Sequence, residues 1–287
     1  MNLPNIGIIG FGFIGRAVAH GFSLHANLKI YDKYDNEYDT LEETVNESDF
    51  LFVGVPTPMD DDGVQDLSYL DDAIANIDRV AKGNKFVIIK STVLPGTARN
   101  YARKFRKLIF VSNPEFLTQR TYKLDFINPA RIILGGVGSA TYNVEHMYRV
   151  RFPQSNIFHT SWEGAETVKY ISNCFFAVKV SFCNEMYDVA NKIGVDYEEL
   201  RDMWLADGRV GNSHHDVPGH DGDRGWGGKC YHKDVNAFIR WAEKNDVGVD
   251  TIIGADQTNK RVRTNKDWME IQGATSKCAY GETKCQE

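Results

Sequence analysis

The segment Ile6-Gly7-Ile8-Ile9-Gly10-Phe11-Gly12-Phe13-Ile14-Gly15 sets the architecture of this 287-residue chain. Its apolar first half predicts a buried strand, and the spaced glycines are typical of a strand that turns directly into a helix. The first glycine permits the tight turn, the second lets the backbone approach a pyrophosphate, and the third lets helix and strand pack closely. Free N–H groups at the helix N-terminus favour bound phosphates. The residues predicted to hold a dinucleotide here are Gly10, Gly12, Phe13, Ile14 and Gly15.

Asp32 supplies the second part of this signal, because it ends the next predicted strand. A carboxylate at that place accepts hydrogen bonds from a ribose diol and repels a 2′-phosphate. Lys33 follows directly, and both residues are predicted to contact the cofactor. The acid at the strand tip favours NAD over NADP. A glycine turn in an unrelated α/β protein is the alternative, and the strand, helix and acid in the expected order favour the cofactor site.

Six apolar runs in the first half alternate with helix-like segments, a pattern typical of a parallel α/β sheet. Most of the runs lack a polar face, as strands covered on both sides do. We therefore predict an α/β protein whose domain 1–158 is a doubly wound, Rossmann-type parallel sheet. The predicted strands are Ile6–Gly10, Leu28–Asp32, Phe50–Pro56, Phe86–Lys90, Ile109–Ser112 and Arg131–Gly135.

An all-helical domain is predicted over 159–272, with one long spine helix. Apolar residues recur at helical spacing up to Ile193, Thr160 and Glu163 are a candidate capping box, and Gly194 is the natural stop. About 33 residues would extend ~50 Å, a length typical of helices that join domains or subunits, so we expect a homodimer through this helix. Further helices are predicted over 196–206, 231–245 and 249–269, and a disordered tail over 273–287.

The composition excludes several classes of protein. The chain has 33 basic and 39 acidic residues and a net charge of −6, whereas a nucleic-acid binder usually carries a basic field. No stretch approaches the ~20 apolar residues that cross a bilayer, and no signal-peptide pattern follows Met1. Five cysteines without framework spacing fit a reducing compartment. We expect a cytoplasmic protein with no nucleic-acid or membrane partner.

Cys230 is the most informative residue of the second half, in the segment Gly225-Trp226-Gly227-Gly228-Lys229-Cys230-Tyr231-His232-Lys233-Asp234. Glycines such as Gly227 would leave room for a ligand near the sulfur. A helix N-terminus lowers the pKa of a thiol and favours the nucleophilic thiolate. Asp234 is one turn further on the same face and could position a water or shuttle a proton. Cys174 and Cys183, on the long helix, are interpreted as small core residues.

Several segments together resemble the UDP-glucose/GDP-mannose dehydrogenase family, closest to its UDP-glucose-oxidising members. The resemblance covers about residues 5–265 and follows the family's order. Besides the Gly10–Gly15 motif, the matching segments are Val55-Pro56-Thr57-Pro58, Asp66-Leu67-Ser68-Tyr69, Lys90-Ser91-Thr92-Val93-Leu94-Pro95-Gly96-Thr97, Asn113-Pro114-Glu115-Phe116-Leu117, Pro129-Ala130-Arg131-Ile132, Lys169 with Asn173, and Gly227-Gly228-Lys229-Cys230 with Lys233-Asp234.

This resemblance implies a four-electron oxidation of a nucleotide sugar at C6, with UDP-glucose as the expected substrate and two NAD+ as acceptors. Cys230 would be the nucleophile that captures the aldehyde as a thiohemiacetal and then carries a thioester. Lys169 and Asn173 would stabilise the oxyanion, since a cation favours developing negative charge. Asp234 and Thr92 would hold the water used in proton transfer.

The resemblance assigns the remaining roles mainly to residues of loops and to one arginine. Glu115 would serve thioester hydrolysis, and with Thr57 and Thr92 it follows predicted strands, at the sheet edge where such folds bind ligands. The positions implied for the cofactor there are Pro56, Thr57 and Thr92. The positions implied for the substrate are Glu115, Phe116, Leu117, Lys169, Asn173, Gly227 and Arg209, the last across a dimer interface.

Two features depart from the family. Members commonly continue with a further α/β domain that binds the nucleotide diphosphate, so the resemblance is to a short form lacking the C-terminal UDP-binding domain. The loop 207–229 is rich in His and Asp, and Arg224 is a candidate phosphate ligand by charge alone. His214, His215, His220, Cys230 and His232 fit no standard zinc spacing, so no metal is predicted.

Two other functions stay open. One is a non-catalytic remnant that binds NAD or a sugar nucleotide, and the other is a two-electron dehydrogenase of the hydroxyacid type. The presence of Cys230, Lys169, Asn173 and Asp234 favours the oxidation to a carboxylate, because a pure binder needs no nucleophile.

Overall fold

A computed structural model describes residues 3–277, and the chain forms two compact units. Unit 1 comprises Met1–Thr57 and Asp66–Lys169, and unit 2 comprises Pro58–Gln65 and Tyr170–Glu287. None of the helices within residues 3–277 is long and apolar enough to span a membrane.

Unit 1 is a seven-stranded sheet with helices on both faces, so the prediction of a doubly wound α/β fold is confirmed. The strand order is 2-1-3-4-5-6-7, and all neighbours are parallel except strands 5 and 6, which share one antiparallel pair. The strands are β1 Asn5–Ile9, β2 Asn27–Tyr31, β3 Phe50–Val53, β4 Lys85–Ile89, β5 Leu108–Ser112, β6 Ile132–Gly135 and β7 Ile157–Thr160. The helices of this part are α1 Phe13–Phe22, α2 Leu41–Asn46, α3 Ser68–Val80, α4 Thr97–Lys104, α5 Tyr122–Ile127 and α6 Gly138–Arg151.

The strands are apolar because each sheet face carries a core. Ile8 of β1 packs into a cluster with α1, α5 and α6, whereas Ile9 packs into a second cluster with α2, α3 and α4. Alternate side chains point to opposite faces, so a strand covered on both sides has no polar side. The seventh strand was not predicted, because β7 lies at the sheet edge and three of its four residues are exposed.

The long helix, α7, runs over Trp162–Ile193, close to the predicted span. The predicted capping box at Thr160 is wrong: Thr160 ends β7, and the Oγ of Ser161 accepts the backbone N–H of Gly164 instead. Glu163 pairs with Arg99 rather than with a capping residue.

The first turns of α7 belong to unit 1, past the boundary expected at residue 158. The physical reason is a set of hydrogen bonds to the sheet layer. Trp162 Nε1 donates to Phe110 O at 2.9 Å, and the Glu166 carboxylate accepts the backbone N–H groups of Gly96 and Ala98 at 2.6 and 2.9 Å.

Unit 2 contains the rest of α7 and three further helices, α8 Tyr197–Leu205, α9 Tyr231–Lys244 and α10 Asp250–Val262, followed by a 3₁₀ turn Asp267–Met269. Cys174 and Cys183 lie in its two apolar clusters, as predicted. The helix expected over 249–269 ends at Val262, because Arg263 turns away to pair with Asp221 at 2.7 Å.

The end of the described chain differs from the expected disordered tail. Ala274 is buried, Met59 N donates to Ala274 O at 3.2 Å, and Ser276 N donates to Met59 O at 2.8 Å. These contacts tie residues 273–277 and the segment Pro58–Gln65 into unit 2. The remaining residues of the predicted tail, 278–287, lie outside the described residues.

Candidate active site

The glycine turn between β1 and α1 has the geometry that a dinucleotide requires. Gly10 has a φ of +90°, where L side chains are strained, and a Cβ on Gly15 would lie 2.2 Å from the carbonyl oxygen of Gly10. A Cβ on Gly12 would meet nothing within 4 Å. Two glycines are therefore required by the fold itself, and the third leaves an open face at the N-terminus of α1, where phosphates bind.

Asp32, directly after β2, ties this turn to the sheet. Its carboxylate accepts the backbone N–H of Phe11 at 2.7 Å and that of Tyr34 at 2.9 Å. A carboxylate has about four lone-pair sites, so ribose hydroxyls can still be accepted. The ammonium of Lys33 pairs with Asp72 at 3.0 Å, which gives this lysine a partner inside unit 1.

Pro56, Thr57, Thr92 and Glu115 follow β3, β4 and β5, which are parallel, so they lie beyond one edge of the sheet. Ligands of open α/β sheets bind at this carboxyl edge. Thr57 Oγ1 donates to Thr92 O at 2.8 Å and joins two of the loops. The positions expected for the cofactor, Pro56, Thr57 and Thr92, therefore lie beyond the same edge of the sheet as Glu115.

Glu115 and Lys169 form a buried ion pair in unit 1. Lys169 Nζ donates to Glu115 Oε1 at 2.9 Å, and the two side chains are 6% and 4% exposed. Leu117 N donates to the other carboxylate oxygen at 2.6 Å. Burial alone would raise the pKa of Glu115, but the attraction and hydrogen bond of Lys169 outweigh it and the pKa is lowered. The pair therefore holds a fixed carboxylate and a fixed ammonium beside each other.

Phe116 and Leu117 line a cavity of about 340 Å³ whose lining residues all belong to unit 1. Two cations lie near the ring of Phe116: its centre is 4.1 Å from the Arg131 guanidinium and 5.8 Å from Lys169 Nζ. An aromatic ring attracts cations over its face, so these contacts fix the orientation of Phe116.

Cys230 precedes α9 in unit 2 as its N-terminal capping residue, and it is half-buried. Cys174 and Cys183 are buried instead, and burial together with Asp234 raises the pKa of Cys174 to about 12. Of the three cysteines in the described chain, Cys230 is thus the accessible one, at the helix terminus that favours a thiolate.

Asp234 is almost fully buried, and both of its carboxylate oxygens are bonded within unit 2. Asn173 Nδ2 donates to Oδ2 at 2.6 Å, and Lys233 Nζ donates to Oδ1 at 2.6 Å. The amide of Asn173 is oriented by this contact, because its N–H faces the carboxylate. Lys233 received no role from the sequence, although a lysine adjacent to a buried aspartate is the signal that could have indicated one.

The glycines before Cys230 serve a packing role that the sequence did not indicate. A Cβ on Gly227 would lie 2.3 Å from Arg263 Nη2 and 2.4 Å from Asp267 Oδ1. Gly228 N donates to the Asp267 carboxylate at 3.0 and 3.1 Å. The expectation that Gly227 leaves room for a ligand is therefore corrected, since Arg263 fills that side. Arg263 was missed because the predicted helix ran through it.

Two arginines assigned to the substrate have partners within unit 2. Arg209 is 86% exposed and pairs with Asp207 at 2.5 Å. Arg224 donates to Asn184 Oδ1 at 3.1 Å and pairs with Asp188 at 2.8 Å. The guanidinium of Arg224 is thus already bonded, and the structure gives no support to its role as a phosphate ligand.

Two histidines of the same region pack against aromatic rings. His214 stacks on Phe176 with ring centres 4.1 Å apart, and His232 stacks on Trp268 at 4.0 Å. Burial lowers the pKa of His232 to about 4. Within residues 3–277 no group of three His, Cys, Asp or Glu side chains is placed to hold a metal ion.

Comparisons with known proteins agree on one family. The model for the NAD binding domain of the UDP-glucose/GDP-mannose dehydrogenase family matches residues 30–151, and that for its central domain matches 163–261. UDP-glucose 6-dehydrogenase of Rhizobium meliloti is 34% identical over 246 residues, which are 80% of this chain and 55% of that protein. An uncharacterized protein of Methanocaldococcus jannaschii is 34% identical over 226 residues, 75% of this chain and 25% of that one.

Solved structures of dehydrogenases share the fold of this chain. The UDP-glucose dehydrogenase of Pyrobaculum islandicum is 27% identical, with a TM-score of 0.81 over 91% of this chain and 68% of that one. A 3-hydroxyisobutyrate dehydrogenase of Mycobacterium tuberculosis, 16% identical with a TM-score of 0.71, shares the fold. The chain spans about half the length of the curated UDP-glucose 6-dehydrogenase it matches.

Proposed function

The chain belongs to the UDP-glucose/GDP-mannose dehydrogenase family, and we propose on this premise that it oxidises the C6 alcohol of a nucleotide sugar to a carboxylate with two NAD+. The observation that carries the proposal is the state of Cys230, half-buried at the start of α9 while Cys174 and Cys183 are buried. A protein that only binds a sugar nucleotide needs no accessible thiol at a helix N-terminus. UDP-glucose is the expected substrate.

The glycine turn fits the cofactor, because Gly12 leaves the N-terminus of α1 open and Asp32 stands at the end of β2. Bound NAD+ supplies the hydride acceptor. Cys230 attacks the first product, an aldehyde, and the new C–S bond holds it as a thiohemiacetal. Loss of a second hydride from the same carbon gives a thioester, and water then releases the carboxylate and the free thiol.

The other residues assist this chemistry through charge. The Lys169 ammonium stabilises the oxygen that becomes negative when Cys230 attacks, and Asn173 assists it. Glu115, held as a carboxylate by Lys169, accepts a proton from the hydrolytic water. Thr92 and Asp234 position the water used in proton transfer. Lys233 Nζ donates to Asp234 Oδ1 at 2.6 Å and so fixes the position of this carboxylate.

The direct test is a panel of UDP- and GDP-sugars with NAD+, followed by NADH absorbance and the products. Two NADH and one carboxylate per sugar nucleotide are expected. One NADH per substrate would assign the chain to the two-electron dehydrogenases, and none with any sugar would assign it to non-catalytic binders.

The first prediction concerns the glycine turn. Gly12→Ala should leave the thermal unfolding midpoint unchanged while weakening NAD binding at least tenfold, because the added methyl meets no protein atom but occupies the face open to the pyrophosphate. Gly15→Ala should instead lower the midpoint, since its Cβ would lie 2.2 Å from a backbone oxygen. Gly83→Ala, also without a neighbour within 4 Å, is the control. Unchanged NAD affinity in Gly12→Ala would contradict the assignment.

We also propose that the chain forms a homodimer through α7. Within unit 2 this helix exposes Phe175 (61%), Phe182 (44%) and Val189 (48%), which are seven residues apart and form an apolar stripe. Exposed stripes of this kind mark protein interfaces. In that dimer Arg209, which is exposed and pairs with Asp207, would be available to the partner's substrate.

Light scattering tests this second prediction. The wild-type chain should have the mass of a dimer, and Phe182→Glu should have that of a monomer, because a buried unpaired charge at the stripe opposes association. Leu24→Glu, at an exposed leucine of unit 1 (83%), should remain dimeric. A monomeric wild type would remove the basis for the role of Arg209.

A further inference from the structure

The glycine loop, residues 225–228, lies directly against the end of α10 in unit 2. A Cβ on Gly225 would lie 2.3 Å from Asn259 Oδ1, and a Cβ on Gly227 would lie 2.3 Å from Arg263 Nη2. Gly225 also has a φ of +72°, where L side chains are strained. Glycine is therefore required in this loop so that its backbone can approach two polar side chains, for which the oxidation described above has no use.

Asn259 binds both backbone groups of Trp226. Its Oδ1 accepts Trp226 N at 2.7 Å, and its Nδ2 donates to Trp226 O at 3.0 Å. Asn259 is 2% exposed and Trp226 is buried as well, so both bonds are shielded from water. A buried amide that satisfies the N–H and the C=O of one residue holds that part of the backbone in a single orientation.

Asp267, in the 3₁₀ turn after α10, binds the other end of the glycine loop. Gly228 N donates to its two carboxylate oxygens at 3.1 and 3.0 Å. Gly228 has a φ of +74° and stands two residues before Cys230, the residue that caps α9. Rotation of the backbone at this glycine would move the sulfur, and the bonds to Asp267 oppose such a rotation.

Arg263 joins these contacts into one cluster. Its side chain is 2% exposed, its Nη1 pairs with Asp221 at 2.7 Å, and its Nη2 lies 3.2 Å from Asp267 Oδ1. Its Nε lies 3.5 Å from Asp223 Oδ2 and donates to Asn265 O at 2.8 Å. A guanidinium presents five N–H donors in a fixed planar fork, so a single side chain can hold several acceptors in defined places.

The cluster also explains two aspartates of the loop 207–229. Burial would raise the pKa of Asp221, but hydrogen bonds, above all that of Arg263, outweigh it and the pKa is lowered. Asp223 Oδ2 accepts Asn265 N at 2.7 Å. Both carboxylates therefore tie the loop to the residues that follow α10.

We propose that Arg263 is a positioning residue for Cys230. With Asp267 and Asn259 it fixes the glycine loop, and the loop fixes the place of the Cys230 sulfur. The inference rests on the proposed function, in which the sulfur must form a C–S bond with the aldehyde before the aldehyde leaves, while the thiol proton passes to the carbonyl oxygen. A reacting atom displaced by 1 Å can slow such a step by about 10²-fold.

The first test measures how firmly the thiol is held, without NAD or sugar nucleotide. The full chain is treated with N-ethylmaleimide or with the larger N-pyrenylmaleimide, and the Cys230 peptide is quantified by mass spectrometry. Both reagents attack through the thiolate, so the ratio of their rates is independent of the thiolate fraction and reports the space around the sulfur. A half-buried sulfur held in one place discriminates against the larger reagent.

Arg263→Lys should raise the rate ratio, larger reagent over smaller, by at least about threefold, because one ammonium cannot replace the fork of a guanidinium. Asp267→Asn keeps the shape of the side chain but loses the charge that faces Arg263, and it should raise the ratio by at least about twofold. It decides the question if Arg263→Lys does not fold. Arg261→Lys is the matched control and should equal the wild type, because Arg261 is on the same helix, 57% exposed, and pairs with Asp188 at 3.0 Å.

An unchanged ratio in the folded variants would overturn the proposal. It would also be overturned if neither variant folded, since the cluster would then be needed for the fold and not for the place of the sulfur.

The second test follows the oxidation in the same variants. A displaced thiol captures the aldehyde less often, so free aldehyde should be released and more than two NADH should form per uronate. A merely structural role would lower NADH and uronate together and leave their ratio at two, and that result in both variants would overturn the proposal. If the wild-type chain forms no NADH with any sugar nucleotide, the proposed function fails, whereas the maleimide ratios still decide whether Arg263 positions Cys230.

Discussion

Cys230→Ser is expected to lower the rate of carboxylate formation by at least about 10³-fold and to remove the second NADH from each turnover. A serine hydroxyl is not ionised near neutral pH and adds poorly to an aldehyde. The first oxidation product is then not held covalently, and no thioester can form. The measurement is NADH per mole of sugar nucleotide, with the uronate counted separately.

Cys183→Ser is the matched control for this substitution. Cys183 is buried in unit 2, and burial raises the pKa of its thiol, so it cannot act as a thiolate. Its replacement should leave both NADH in place. Full four-electron turnover by Cys230→Ser would show that the thiol is not the nucleophile, and the proposed mechanism would be wrong even if the sugar were oxidised.

The pattern of apolar residues was sufficient to predict six of the seven strands of the sheet. Strands such as β1 are apolar over their whole length because both faces are covered, and Ile8 and Ile9 pack into different clusters. β7 lies at the edge with exposed residues and has no such pattern. The sequence of α10 continues in helical fashion past Val262, but the chain leaves the helix there because Arg263 pairs with Asp221 and Asp223.

For the candidate active site, the sequence likewise predicted residues but not their contacts. The sequence could indicate which residues carry chemistry, but Glu115 and Lys169 are far apart in the chain and their 2.9 Å contact depends on tertiary packing. The sequence could assign Asp234 to a water, but it could not show that Asn173 and Lys233 each donate to one of its carboxylate oxygens. Side-chain partners of this kind are set by the fold, so motif spacing cannot give them.

The ion pair of Glu115 and Lys169 leads to the second large prediction, which concerns stability. Lys169→Met should lower the free energy of unfolding at pH 7 by about 3–5 kcal/mol, because it leaves a buried carboxylate without its counter-ion. The double variant Lys169→Met/Glu115→Gln should recover most of this loss, since both charges are then absent. Lys104→Met, exposed on α4, should be close to the wild type.

The pH dependence of the same variants has a definite sign. In the wild type the pKa of Glu115 lies below its ordinary value of 4.5, so the pair stabilises the fold above that value and the contribution is lost as the pH falls through the lowered pKa. Without Lys169, burial would dominate and raise the pKa of Glu115, so protonation relieves the buried charge. The difference between wild type and Lys169→Met should therefore be largest near pH 7 and should decrease steadily toward pH 4 in urea unfolding. A difference that is constant over this range would mean that Lys169 stabilises the fold by packing and not by pairing with Glu115.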